Sequence, residues 1–145
     1  MNHIAIMKKE WKLIPKILNG GKTIESRWYQ TKRLPWNKIR AGDSVYFKNS
    51  GEPVIVKVKV DRIIQFQDLT SSKIKAILLE YGNSDGISEP EIPIFFERFK
   101  TKKYCILIFL KKPQKIAPFE INKKGFGSQT AWITIKNINQ IKICR

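Results

Sequence analysis

The chain has 145 residues, 42% of them hydrophobic, and its 28 Lys and Arg against 12 Asp and Glu give a net charge of +16. Four Trp, eight Phe and four Tyr supply a core, which excludes a disordered polyelectrolyte. One compact domain over 1–145 is expected, and no apolar run approaches the roughly 20 residues of a membrane-spanning helix.

Residues His3 to Met7 read as a short first strand. Lys8 to Asn19 places Trp11, Ile14, Ile17 and Leu18 at helical spacing, and Pro15 predicts a kink or a helix beginning near it. Asn19-Gly20-Gly21 stops that helix, and Lys22 to Trp28 alternates as a strand. Gln30 to Arg40 is a basic, aromatic connection centred on Pro35-Trp36, followed by a turn at Gly42-Asp43 and a strand over Ser44 to Lys48. Asn49 to Pro53 has hairpin-turn composition. Val54, Val56, Val58 and Val60 then alternate with Ile55, Lys57, Lys59 and Asp61, the pattern of a half-exposed strand at one edge of a curled sheet.

Ile74, Ile77, Leu78 and Tyr81 predict a helix over Thr70 to Tyr81, with Thr70 as its N-cap and Gly82 ending it. Ser88 to Lys100 predicts a second, shortened or displaced by Pro93, with Phe95, Phe96 and Phe99 facing in. Tyr104 to Leu110 reads as a central strand and Pro113 to Gly127 as irregular. Ala131 to Ile135 is a strand, and Ile138 to Ile143 adds a short one. The fold class is α+β: a small curled β-barrel of five to six mostly antiparallel strands with flanking helices.

Composition also limits the chemistry. Cys105 and Cys144 match no zinc spacing and His3 is the one histidine, so neither a zinc site nor a Cys-His or Ser-His arrangement is expected. No carboxylates sit at a spacing that points to shared Mg, so no metal and no cofactor are expected. The first eleven residues lack the features of a signal peptide, which gives the expectation of a cytoplasmic protein without a membrane partner.

The basicity is 22 Lys and 6 Arg, alongside 23 Ile, a composition that AT-rich coding also favours. Coding bias does not explain the unevenness. Between Lys75 and Arg98 there is no basic residue, yet Glu80, Asp85, Glu89, Glu91 and Glu97 fall there. A cationic body with one acidic flank fits a polyanion docking on one side, so RNA or a nucleotide is the expected partner.

The segment Gly20-Gly21-Lys22-Thr23-Ile24-Glu25-Ser26-Arg27 follows the first helix, and Gly42-Asp43-Ser44-Val45-Tyr46-Phe47 comes about fifteen residues later. This layout resembles the ASCH domain, a branch of the PUA-like superfamily, whose pattern is a helix, G-x-K-T-x-E-x-R on a strand, then G-D-x-V and a barrel. The resemblance is clear over roughly residues 3 to 66. It implies a cleft beside the Gly-Lys-Thr strand that receives RNA or a nucleobase. Some small ASCH proteins are amidohydrolases of acylated cytidine, and others look like nucleases. The amidohydrolase lysine falls on Lys22; its partner threonine falls on Ile24 or Glu25, neither of which is Thr, and no local motif matches the third member, a glutamate.

The expectation is thus an RNA- or nucleotide-binding module, with a hydrolase of a modified nucleoside or of RNA as the alternative and Lys22 and Glu25 as its catalytic candidates. On a strand Thr23, Glu25 and Arg27 share one face and Lys22, Ile24, Ser26 and Trp28 the other, so Lys22 and Glu25 point apart unless the strand bulges. Arg27 contacts a phosphate or base edge and Glu25 accepts from an amino group, or the two form a barrel-stabilising ion pair. Trp28, Tyr29, Lys32, Arg33 and Trp36 interleave rings with cations, which suits stacked bases and held phosphates unless the tryptophans belong to the core. Lys123, Lys124 and Phe126 with Trp132 form a candidate opposite wall, and Lys48 begins a candidate rim loop. The expected site is a crevice with positive walls and flat rings.

Overall fold

The computed structural model describes residues 1–143; Cys144 lies outside the described residues. Seven strands form one continuous mixed sheet. Six of them run in the order β2 (Ile24–Tyr29), β5 (Tyr104–Ile121), β4 (Val54–Phe66), β3 (Ser44–Asn49), β1 (Asn2–Met7) and β6 (Trp132–Ile135). β7 (Lys142–Ile143) pairs with the far end of β5. Every pairing is antiparallel except β1 with β3. The expectation of five to six strands is exceeded because β5 runs on for 18 residues and offers β7 a partner.

That long strand corrects the irregular reading of Pro113 to Gly127. Prolines cannot donate to a ladder and sit at bulges or edges. Here two β4 steps, Val56 to Val54 and Lys59 to Lys57, face four and three steps of β5, and Pro118 and Pro113 fall in those excess stretches. The strand therefore continues to Ile121 through two bulges, which bend it and curl the sheet. β4 is likewise not an edge. It lies between β3 and β5, with Val56, Val58 and Val60 fully buried in the inner core; past the irregularity between Val54 and Val56 the faces exchange, so Val54 is buried on the outer side with Tyr46 and Ile121 while Ile55 packs inward.

Helices cover both sides of this curl. Lys9–Trp11 form a 3-10 turn and α1 (Leu13–Leu18) follows with Pro15 in its first turn, which resolves the proline conflict. α1 buries Ile14 and Ile17 against Val45, Phe47, Val58, Ile106 and Ile108 inside the barrel. α2 (Ser71–Tyr81) is capped by the Thr70 side chain accepting from Lys73 N at 3.3 Å. α3 (Ile92–Phe99) starts after a Ser88/Glu91 capping box. These two helices pack Ile74, Leu78, Phe95 and Phe99 onto Trp28, Cys105 and Leu107 of β2 and β5. Among the described residues no helix is long and apolar enough to cross a membrane.

Candidate functional site

Between β2, the Lys8–Lys16 segment, the turn at Asp85-Gly86 and α3 lies a pocket of about 430 Å³. The local chain explains its placement. Lys22 N donates to Lys16 O at 2.9 Å, and the N–H groups of Thr23 and Ile24 both donate to Ser84 O at 2.8 and 3.0 Å. These bonds clamp the turn after α2 against the start of β2. That turn is tight because Asp85 N donates back to Tyr81 O at 3.0 Å and Gly86 adopts φ +83°.

Its floor is a chain of buried polar groups. Lys22, 2% exposed, directs Nζ to Asp85 Oδ1 at 2.5 Å, Ile24 O at 2.7 Å and Asp85 O at 2.8 Å, with Glu25 Oε1 at 3.2 Å. Ser26 Oγ donates to Asp85 Oδ2 at 2.5 Å and accepts from Trp28 Nε1 at 3.0 Å. Arg27 Nη2 donates to Glu25 Oε2 at 3.0 Å, and its guanidinium lies 5.0 Å from the Trp132 ring. Arg27 Nε is buried without a hydrogen-bond partner among the described residues. An uninterrupted path thus runs Trp28–Ser26–Asp85–Lys22–Glu25–Arg27.

Burial disfavours every charge in this path, and the neighbours decide the outcome. For Lys22 the carboxylates of Asp85 and Glu25 outweigh burial and hold its pKa above that of an ordinary lysine. For Glu25 burial works upward, but Lys22 and Arg27 outweigh it and hold the carboxyl below its usual range. For Asp85 burial dominates, and Glu25 adds to it, so the carboxyl is raised in spite of Lys22. Lys22 is an ammonium, and its short contacts run to acceptors.

The walls are aromatic: Trp11, Trp28, Tyr29, Phe95 and Phe99 all line the pocket. Trp28 stacks on Phe99 with centroids 4.5 Å apart and planes 6° from parallel. Trp11 stands at the mouth, 39% exposed, with Lys8 Nζ and the Arg98 guanidinium each 5.0 Å from its ring.

The expected site is only partly assembled. Lys22, Glu25, Arg27, Trp28 and Tyr29 line the pocket. The prediction that Lys22 and Glu25 point apart is wrong, because β2 begins at Ile24 and the flexible Lys22 side chain precedes the pleat. Thr23 is exposed outside the lining, as are Lys32 and Arg33. Trp36 is half-buried against Tyr104, with ring centroids 5.2 Å apart, and its Nε1 has no hydrogen-bond partner among the described residues. Lys48 is buried on β3, where burial and then Lys123 depress its pKa, and neither lysine reaches the pocket. Lys124 and Phe126 are exposed elsewhere, so the expected opposite wall is absent. Trp132 is 4% exposed and supports Arg27 from outside the lining.

The positive walls are also corrected. Lys8, Lys16, Lys22 and Arg27 are balanced by Glu10, Glu25, Asp85 and Glu91 around the same cavity. Asp85 belongs to the stretch read as an acidic flank, yet it is 6% exposed at the site's centre. The readable signal was its position in Gly82-Asn83-Ser84-Asp85-Gly86, a carboxylate held in a tight turn. Among the described residues no group of three His, Cys, Asp or Glu could hold a metal ion.

No family model and no curated protein matches the sequence. Solved structures do match. ASCH from Zymomonas mobilis is similar at 18% identity and TM-score 0.66, over 96% of this chain and 91% of that one. The N-terminal domain of Staphylothermus marinus McrB matches at 13% identity and TM-score 0.58, over 96% and 90%. The hypothetical protein PH0355 matches at 22% identity and TM-score 0.52, over 80% and 100%. A curled mixed sheet with flanking helices, aligned over nearly the whole chain, establishes that this protein has an ASCH-like α+β fold.

Proposed function

We propose that this chain is an RNA- or nucleotide-binding module that seats one base in the pocket beside β2. The observation carrying this reading is the lining itself: aromatic walls over a floor of paired, charge-balanced donors and acceptors, in a chain of net charge +16. A planar, uncharged heterocycle meets rings on its faces and Ser26, Glu25 or Arg27 on its edge, while the phosphates stay outside on the basic surface. Stacking contributes roughly 1–3 kcal/mol per base and tolerates different bases. Titrating nucleosides and single-stranded RNA while following tryptophan fluorescence tests it. Saturable quenching by both, with RNA binding weakened by salt, is expected; no binding by either class removes the reading.

The hydrolase reading draws on one feature, a buried lysine between two carboxylates at the floor of an open pocket. Lys22 as nucleophile or base has to release a proton, and Asp85 and Glu25 hold it there. Incubating wild type and Lys22→Ala with acylated cytidine and labelled RNA decides this: turnover lost in the variant supports hydrolysis, and equal turnover excludes a role for Lys22.

A further inference from the structure

The outer face of the sheet carries a second concavity, of about 590 Å³, that shares no lining residue with the pocket. β3 and β4 turn Val45, Phe47, Val56 and Val58 into the core, so Tyr46, Lys57 and Lys59 stand on the opposite side. Tyr46 faces Lys57 in register, and Ser44 faces Lys59. The second half of β5 and residues 137–142 close the groove.

Its chemistry has one sign. Lys57, Lys59 and Lys142 line it without any Asp or Glu. Among the described residues none of the three has an ion-pair partner, whereas Lys9, Lys22, Lys100 and Lys111 each do. Lys57 Nζ stands 5.7 Å from the Tyr46 ring and Lys142 Nζ 4.7 Å from the Phe119 ring. The two rings meet edge-on with centroids 5.9 Å apart. These contacts tether both ammonium groups at the groove.

The amides add donors. Asn2 Oδ1 accepts from Ile138 N at 2.7 Å and Asn137 Oδ1 from Asn139 N at 2.9 Å, so their acceptors are engaged and their NH₂ groups remain. Lys57 and Lys59 lie about 7 Å apart along the strand. A concavity of donors without an opposing carboxylate fits an anion rich in acceptor oxygens.

We propose that this groove binds the phosphodiester backbone of single-stranded RNA. The proposal rests on the nucleic-acid reading above and adds where the backbone runs. β1 links the two concavities: Asn2 lines the groove and Ile6 lines the pocket, roughly 13 Å further along the strand. One short strand of RNA reaches both.

The test measures binding of a fluorescent single-stranded 12-mer RNA across a salt series. It compares wild type, a groove triple variant (Lys57→Ala, Lys59→Ala, Lys142→Ala) and a control triple (Lys38→Ala, Lys73→Ala, Lys75→Ala) with the same charge loss. Circular dichroism melting confirms that each is folded. Loss of about three phosphate contacts lowers the log K against log salt slope by about 2 in the groove variant. Its affinity falls at least about tenfold at 0.1 M salt, while the control stays within about twofold, differing only by diffuse charge.

Equal losses in both triples overturn the groove while leaving RNA binding by the protein intact. Wild type that binds no RNA overturns both readings. Parallel titrations with inorganic phosphate and polyglutamate separate the sources. Displacement of the RNA by millimolar phosphate shows a free-anion site, and tighter groove-dependent binding of polyglutamate than of RNA shows an acidic-peptide site; either result overturns the proposal.

Discussion

Asp85 and Lys22 lie 63 residues apart in sequence, yet a carboxylate oxygen of one sits 2.5 Å from the amine of the other. The contact joins the turn after α2 to the entry of β2 and sets the floor of the pocket. Replacing Asp85 by Ala leaves the buried ammonium with Glu25 as its one charged partner. We expect a loss of about 3–5 kcal/mol in urea unfolding, as for other broken buried pairs. The double variant Asp85→Ala/Lys22→Met should lose less than the sum of the two singles, because it leaves no orphaned ammonium.

His3 provides a pH prediction at the other end of β1. It is fully buried, its Nε2 lies 2.8 Å from Asp43 Oδ2, and Trp132 Nε1 donates to its Nδ1 at 3.2 Å. Burial lowers its pKa in spite of Asp43. The unfolded chain therefore binds the proton more readily, and folding stability falls as pH drops from the ordinary histidine value through the lower folded one. Thermal melts between pH 7 and 5 should show this slope, and His3→Gln should flatten that segment.

Trp11 is a platform at the pocket mouth with little part in the core, being 39% exposed. Trp11→Ala should weaken binding of a nucleoside by roughly 1–3 kcal/mol, the stacking contribution of one ring. The melting temperature should move little, since no helix or strand depends on that side chain. Fluorescence or calorimetric titration against wild type checks both halves.

Gly86 turns the chain at φ +83° beside Lys22, Leu13 and Lys16, whose carbons would lie 3.5–3.6 Å from an added Cβ. That is ordinary contact, so space is available and backbone conformation is the obstacle. Gly86→Ala should destabilise by about 1–2 kcal/mol in chemical denaturation, the cost of left-handed geometry for an L side chain.

The segment around Lys22 shows how far sequence reasoning carried. Gly20 to Arg27 pointed to the fold, and Lys22, Glu25, Arg27, Trp28 and Tyr29, read from that segment and the two residues after it, line the pocket, because local hydrogen bonding and alternation are written in adjacent positions. Asp85 was not readable as a partner, since nothing near it in sequence is basic; it had to be delivered by the docking of α2 against β2. Lys123, Lys124 and Phe126 failed for the opposite reason. Their composition matched a binding loop, but β5 carries that loop to another edge of the sheet.

Charge tells the same story at larger scale. The amino-acid sequence by itself determined the excess of cations, the alternation from Val56 to Val60 and the bounds of the helix capped by Thr70, all properties of near neighbours along the chain. Only the tertiary structure decided that four cations and four anions meet around one cavity while three lysines without an ion-pair partner among the described residues gather in another. Electrostatic potential depends on distance in space, and the curl of the sheet, set by bulges at Pro113 and Pro118, fixes which charges become neighbours.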